Sequence, residues 1–196
     1  MSYEKNRYPA SASTHCKSAR RAQQMNFWLG IAGVVTLALF ALVGTFIITG
    51  PERIWNIFGP PDLGAISFET LKRRSTPNDA LACPTDLCSA KSDIIPPVFS
   101  VSAGDLQLAF SNVIASEERV TRVEATDRDR TERYIQRSRL MGFPDTIVVR
   151  FFERPGGRST LALYSRSQLG KSDFGVNRAR IARWLEKLTM QAPVSN

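Results

Sequence analysis

One uninterrupted apolar run constrains this chain more than any other feature. Residues Phe27–Gly50 read FWLGIAGVVTLALFALVGTFIITG, 24 positions without a charge. As an α-helix rising about 1.5 Å per residue, the run reaches roughly 36 Å, enough to cross a hydrocarbon core of about 30 Å with some tilt. In that medium backbone groups can pair only with one another, which leaves a helix or a closed barrel. Trp28 and Trp55 flank the run, where interfacial aromatic residues sit. A buried core helix is one alternative, but such helices seldom run this long without a polar face. A cleaved signal peptide is the other. Its apolar core is typically about 7–15 residues, and no A-x-A site follows here, where the chain continues Thr49-Gly50-Pro51-Glu52-Arg53.

Charge orients the anchor. Lys5, Arg7, Lys17, Arg20 and Arg21 precede it against Glu4 alone, a net +4, and only Arg53 follows closely. Lysine and arginine favour the cytoplasmic side, so the reading is a cytoplasmic tail over 1–26, a transmembrane helix over 27–50, a linker over 51–80 and an extracytoplasmic domain over 81–191, in the periplasm if the membrane is an inner membrane. The chain of 196 residues carries a formal +8, and half of that excess sits in the tail. The domain is close to balanced, which with its outward location argues against nucleic acid. The run Glu117–Arg139 holds seven arginines and six acids and reads as a solvated sheet face. Asp127 and Asp129 lack the glycine and distal glutamate of a calcium loop.

The three cysteines and one histidine limit the chemistry further. His15 and Cys16 lie in the tail, across the membrane from Cys83 and Cys88. In an oxidising compartment the latter two read as a disulfide, with free thiols or a redox or metal role as alternatives. A structural zinc site wants four Cys or His ligands, so no metal is expected, and no cofactor motif is present. Without an outer histidine, Ser-His-Asp and Cys-His catalysis are excluded there, and acid–base work falls to Asp, Glu, Lys or Tyr.

The soluble part reads as helix, four strands, helix. Ser102 caps a helix carrying Leu106, Phe110, Val113 and Ile114 at helical spacing. Strands are expected at Val120–Thr126, Glu132–Leu140, Thr146–Phe152 and Ser159–Ser165, with a turn at 127–130 and a hairpin at Pro155-Gly156-Gly157. A last helix from Gly175 to Met190 carries Ile181, Trp184, Leu185 and Leu188 as one stripe. Residues 65–99 read as an extended segment laid over the domain. The fold class is therefore α+β: a two-layer domain with an antiparallel four-stranded sheet and two helices.

The junction Ser165–Ile181 is the most distinctive stretch. Gly170 and Gly175 permit tight turns, Ser172 or Asp173 can cap the helix, and a helix start favours anions. Arg166, Lys171, Ser172, Asp173, Asn177, Arg178 and Arg180 are the candidate anion ligands. A capped helix with a structural loop and solvated arginines is the alternative. Gly170-Lys171-Ser172 resembles a P-loop ending, but Ser165 stands where that motif needs glycine.

The same residues carry a resemblance. Ser165-Arg166-Ser167, Gly170 and Ser172-Asp173-Phe174-Gly175-Val176-Asn177-Arg178, with Arg180-Ile181, resemble the G-x-S-D-x-G-x-N-x-x-R run of the domain of unknown function 1499 family, found in bacterial and plastid-related proteins. Gly142-Phe143-Pro144-Asp145 resembles that family's F-x-D-D segment, with Thr146 in place of the second acid. The cysteine segment is similar, with Asp86-Leu87-Cys88-Ser89 in place of an Asn-Cys-Val form. The resemblance covers about Leu81–Leu188. It implies a shared outer domain, often behind an N-terminal membrane segment or signal, and it brings no activity with it.

The leading expectation is a membrane-tethered envelope module that binds an anionic group or an anionic lipid. An interaction module for an envelope protein complex comes second. A histidine-free enzyme using Asp173 or Asp145 with Arg166 comes third.

Overall fold

The computed structural model describes residues 12–123 and 129–195 and divides into two units, Met1–Gly50 and Pro51–Asn196. In the first, α1 runs Ala12–Thr49 and its stretch Gln23–Ile48 is long and apolar enough to cross a membrane. Within it Thr36 and Thr45 donate their hydroxyls to the carbonyls of Ala32 and Ala41, each at 2.8 Å, so neither hydroxyl is left unpaired on an apolar surface.

The second unit begins with α2, Pro51–Trp55, and a 3-10 turn over Asn56–Phe58. Then come β1 (Asp79–Ala82), α3 (Ala103–Ala115), β2 (Val120–Val123), β3 (Thr131–Arg137), β4 (Pro144–Arg154), β5 (Arg158–Ser167) and α4 (Val176–Gln191). The strands form one antiparallel sheet in the order β1-β5-β4-β3-β2. The sheet thus has five strands, where the sequence suggests four. The added strand, β1, is four residues long and opens on an aspartate, a poor strand former. Both its faces are buried, so it shows no polar alternation. Ala80 and Ala82 join one apolar cluster and Leu81 the other. The expected strand Val120–Thr126 is seen as far as Val123; its remainder and Asp127 and Arg128 of the expected turn lie outside the described residues.

Period-two alternation in β4 and β5 builds the two faces. Ile147, Val149, Phe151, Leu161 and Leu163 face α3 and α4, where Phe110 packs edge-on to Phe151 and Trp184, with ring centres 5.5 and 5.8 Å away. Ser102 caps α3 as expected, accepting from the Asp105 amide at 3.1 Å. Val148, Ala162 and Tyr164 face the opposite way and are covered by Phe68, Leu71 and Cys83. Residues 51–80 therefore belong to this unit, placing Phe68, Leu71 and Asn78 in its interior. Cys83 and Cys88 are paired at disulfide distance with Cα atoms 6.2 Å apart.

Candidate functional site

Three side chains of the distinctive junction are drawn inward by helical spacing. Asn177, Arg180 and Ile181 share the buried face of α4 with Trp184, Leu185 and Leu188. Opposite them, alternation in β4 and β5 turns Asp145, Ser165 and Ser167 toward the helix layer. Arg180 donates from Nη2 to Asp145 Oδ2 at 2.6 Å, from Nη1 to Ser165 Oγ at 2.7 Å and to Asn177 Oδ1 at 2.5 Å, and from Nε to Gln136 Oε1 at 2.5 Å. Asn177 donates to Ser167 Oγ at 2.9 Å and to the Asn78 carbonyl at 3.2 Å. Its Oδ1 also accepts from Ser165 Oγ at 2.5 Å. This polar knot is satisfied internally, as buried charge requires.

The other candidates lie elsewhere. Asp173 completes the start of α4: it accepts from the Gly175 amide at 3.0 Å and the Asn177 amide at 2.9 Å. Ser172 closes a turn on the Phe174 amide at 3.2 Å and is exposed, as are Lys171 and Arg178. Arg166 sits on the far face of the sheet, one strand position from Ser165 and Ser167. There it donates to the carbonyls of Leu63 and Gly64 at 2.7 and 2.8 Å, and burial lowers its pKa. Strand register pairs Thr146 with Arg166 and Asp145 with Ser167, so Asp145 and Arg166 occupy opposite faces. The carboxylate meets Arg180 instead.

Arg180 also forms part of the wall of a cleft of about 530 Å³. The turn after α3, the end of β3 and the first half of α4 enclose it, through Arg119, Arg137, Arg139, Arg180 and Arg183 against Glu117 and Glu118. Arg119 donates to the carbonyls of Ser138, at 3.1 Å, and Arg139, which holds the end of β3 in place. Arg139 is loosely held, 3.9 Å from Glu118 with both side chains largely exposed. Glu117 is tightly held by Arg183 at 2.9 Å and Lys187 at 2.6 Å. Burial pushes its pKa up, but the bonds to Arg183 and Lys187 outweigh this and bring it to about 2.

Sequence reasoning took 117–139 for a solvated face and missed this cleft. Spacing carried a signal for part of it: Val176, Arg180 and Arg183 lie at i, i+4 and i+7, one stripe of α4 beside its apolar one. The part from 116–119 could not be found so, because it depends on how the turn after α3 meets α4. Glu132, buried beside Tyr134, Gln107 and Arg122, is likewise no surface residue. Among the described residues no group of three or more His, Cys, Asp or Glu side chains is arranged to hold a metal ion.

No curated protein matches the chain. A family model described as "Protein of unknown function (DUF1499)" matches residues 72–188, which spans β1 through most of α4 and includes the polar knot. That match takes in more than half of the chain, and the protein belongs to the DUF1499 family.

Proposed function

We propose that this protein is a single-pass membrane protein of the cell envelope whose outer domain binds an anionic group. The arginine-lined cleft carries the reading. Its lining includes five arginines and two glutamates. That basic excess stands in a concave surface, where low-dielectric walls concentrate the field on an incoming anion. Glu117, depressed to about 2, stays ionised near neutral pH and holds no proton to donate, which favours binding over acid catalysis.

Two observations support the location. The apolar stretch Gln23–Ile48 follows a basic tail, which the positive-inside rule assigns to the cytoplasm of an inner membrane. The Cys83–Cys88 pair fits an oxidising compartment such as the periplasm.

Thermal unfolding of the detergent-solubilised full chain, with inorganic phosphate or a short-chain phosphatidylglycerol added, tests the site. A ligand-induced rise in Tm should be lost in Arg139→Ala and Arg183→Ala and kept in Arg178→Ala. Loss in Arg178→Ala or Lys171→Ala alone would move the site to the loop before α4. No rise with either probe would refute anion binding.

A further inference from the structure

Six exposed large apolar side chains of the domain gather at one end, while Ile95, Leu108, Met190 and Val194 are exposed elsewhere. Strand β3 ends at Arg137, β4 begins at Pro144, β5 ends at Ser167 and α4 begins at Val176, so 138–143 and 168–175 leave the sheet on the same side. The entering chain is fastened there as well. Gln168 Nε2 donates to the carbonyls of Gly59 at 2.9 Å and Pro60 at 2.6 Å. The Trp55 ring lies 4.4 Å from that of Phe143, and its indole N–H donates to the Met141 carbonyl at 2.5 Å. This end exposes Ile57, Phe58, Leu140, Met141, Phe143 and Phe174, with Ile57 at 80%, Leu140 at 89% and Phe174 at 95%. Phe174 also holds φ at 53°, a region bulky residues avoid, while touching almost nothing. Packing within the domain therefore does not account for it. Exposed Arg53 and Arg139 flank the patch. At the opposite end the hairpin Pro155-Gly156-Gly157-Arg158 has no large apolar side chain of its own, and only the half-exposed Val194 lies near its base, bridged to Phe99.

Residues 51–58 are helical throughout and advance by only about 14 Å. The interfacial layer is itself about 6 Å deep on each side of the hydrocarbon. If α1 spans a membrane, Trp55, Ile57 and Phe58 follow it at headgroup depth or just beyond. Aromatic and aliphatic side chains set beside arginines are what that layer accommodates.

We propose that this end of the domain docks on the surface of the membrane that α1 spans, seating its apolar side chains at the headgroup boundary and offering the arginine cleft to anionic lipid headgroups. The cleft belongs to the same end, since Ser138, Arg139 and Val176 line it. The inference rests on reading α1 as an anchor, and it assigns the cleft's anion to lipid rather than to a free solute.

The test uses the full chain carrying Cys16→Ser, placed in nanodiscs of phosphatidylcholine and phosphatidylglycerol. An environment-sensitive fluorophore is attached at Leu140→Cys, at Arg158→Cys on the opposite hairpin, or at Val35→Cys within α1. Lipid spin-labelled near the headgroup should quench position 140 severalfold more than position 158, with a blue shift only at 140. Equal quenching at the two sites overturns the docking. Shielding of position 140 from aqueous iodide without lipid quenching would assign the patch to a protein partner and also overturn it. Position 35 separates the two readings. If it resists iodide while 140 is unquenched, the anchor stands and the docking falls; if it is open to iodide, both fall.

Discussion

Replacing Arg180 by methionine removes one charge of a pair that is almost wholly out of water. The Arg180 and Asp145 side chains are 5% and 9% exposed and meet at 2.6 Å. Methionine fills much of the same volume, so the loss is chiefly electrostatic. Asp145 is left buried with no cation beside it, while Gln136, Ser165 and Asn177 each lose a donated hydrogen bond. Breaking a buried pair on one side costs about 3–5 kcal/mol. For a domain of this size, 1 kcal/mol moves Tm by about 2–4 °C, so Arg180→Met should melt roughly 6–20 °C below the parent. Thermal and urea unfolding of the full chain in one detergent would measure this. A double-mutant cycle with Asp145→Asn removes the ambiguity of a single substitution. The double variant should be more stable than the two separate losses add up to, by more than about 0.5 kcal/mol. A loss under about 1 kcal/mol, or strict additivity, would show that the pair does not hold α4 to the sheet.

Arg166→Ala should release the segment over the other face by removing donors to Leu63 and Gly64, at a cost of about 1.5–3 kcal/mol, with faster amide exchange confined to residues near 60–66. Glu117 has a depressed pKa, so its contribution is complete above the usual carboxylate value of 4.5 and disappears as pH falls toward about 2. Glu117→Gln should therefore be less stable than the parent at neutral pH and lose less across that acid window; parallel curves would contradict the assignment. Reducing the Cys83–Cys88 pair should destabilise the domain by about 2 kcal/mol for so short a loop. Under non-reducing conditions a thiol reagent should modify Cys16 alone, and labelling of Cys83 would argue against the bond.

The elements that announce themselves in the sequence have a wet face or a length of ten residues or more. α3 shows Leu106, Phe110 and Val113 at helical spacing behind a serine cap, and β4 and β5 flank a glycine turn. β1 is illegible for the opposite reason, since four residues buried on both sides have neither length nor alternation. Arg166 and Arg180 look alike in a list of basic residues near a helix start. Strand alternation and helical spacing send them to opposite sides of the sheet, and that separation follows only once the pairing of β4 with β5 is known. The apolar stripe of α4 runs back through Arg180 to Asn177, so their inward direction was readable from spacing alone. Their partners were not, because Asp145, Gln136 and Asn78 come from distant parts of the chain.

The pairing of β1 with β5 sets the order in which the molecule can assemble. Asp79 lies opposite Arg166, and Ser195 donates its amide to the Val98 carbonyl at 2.8 Å. The segment that emerges first after α2 thus has its partners at the far end of the polypeptide. At about 5–20 residues per second, synthesis leaves Leu81 and its neighbours without their sheet for several seconds after they appear. Only with the arrival of β5 and α4 can the first strand find its place, so closure of the domain is a late event, and a nascent chain stopped before Ser165 has an open sheet edge that invites a chaperone or another chain.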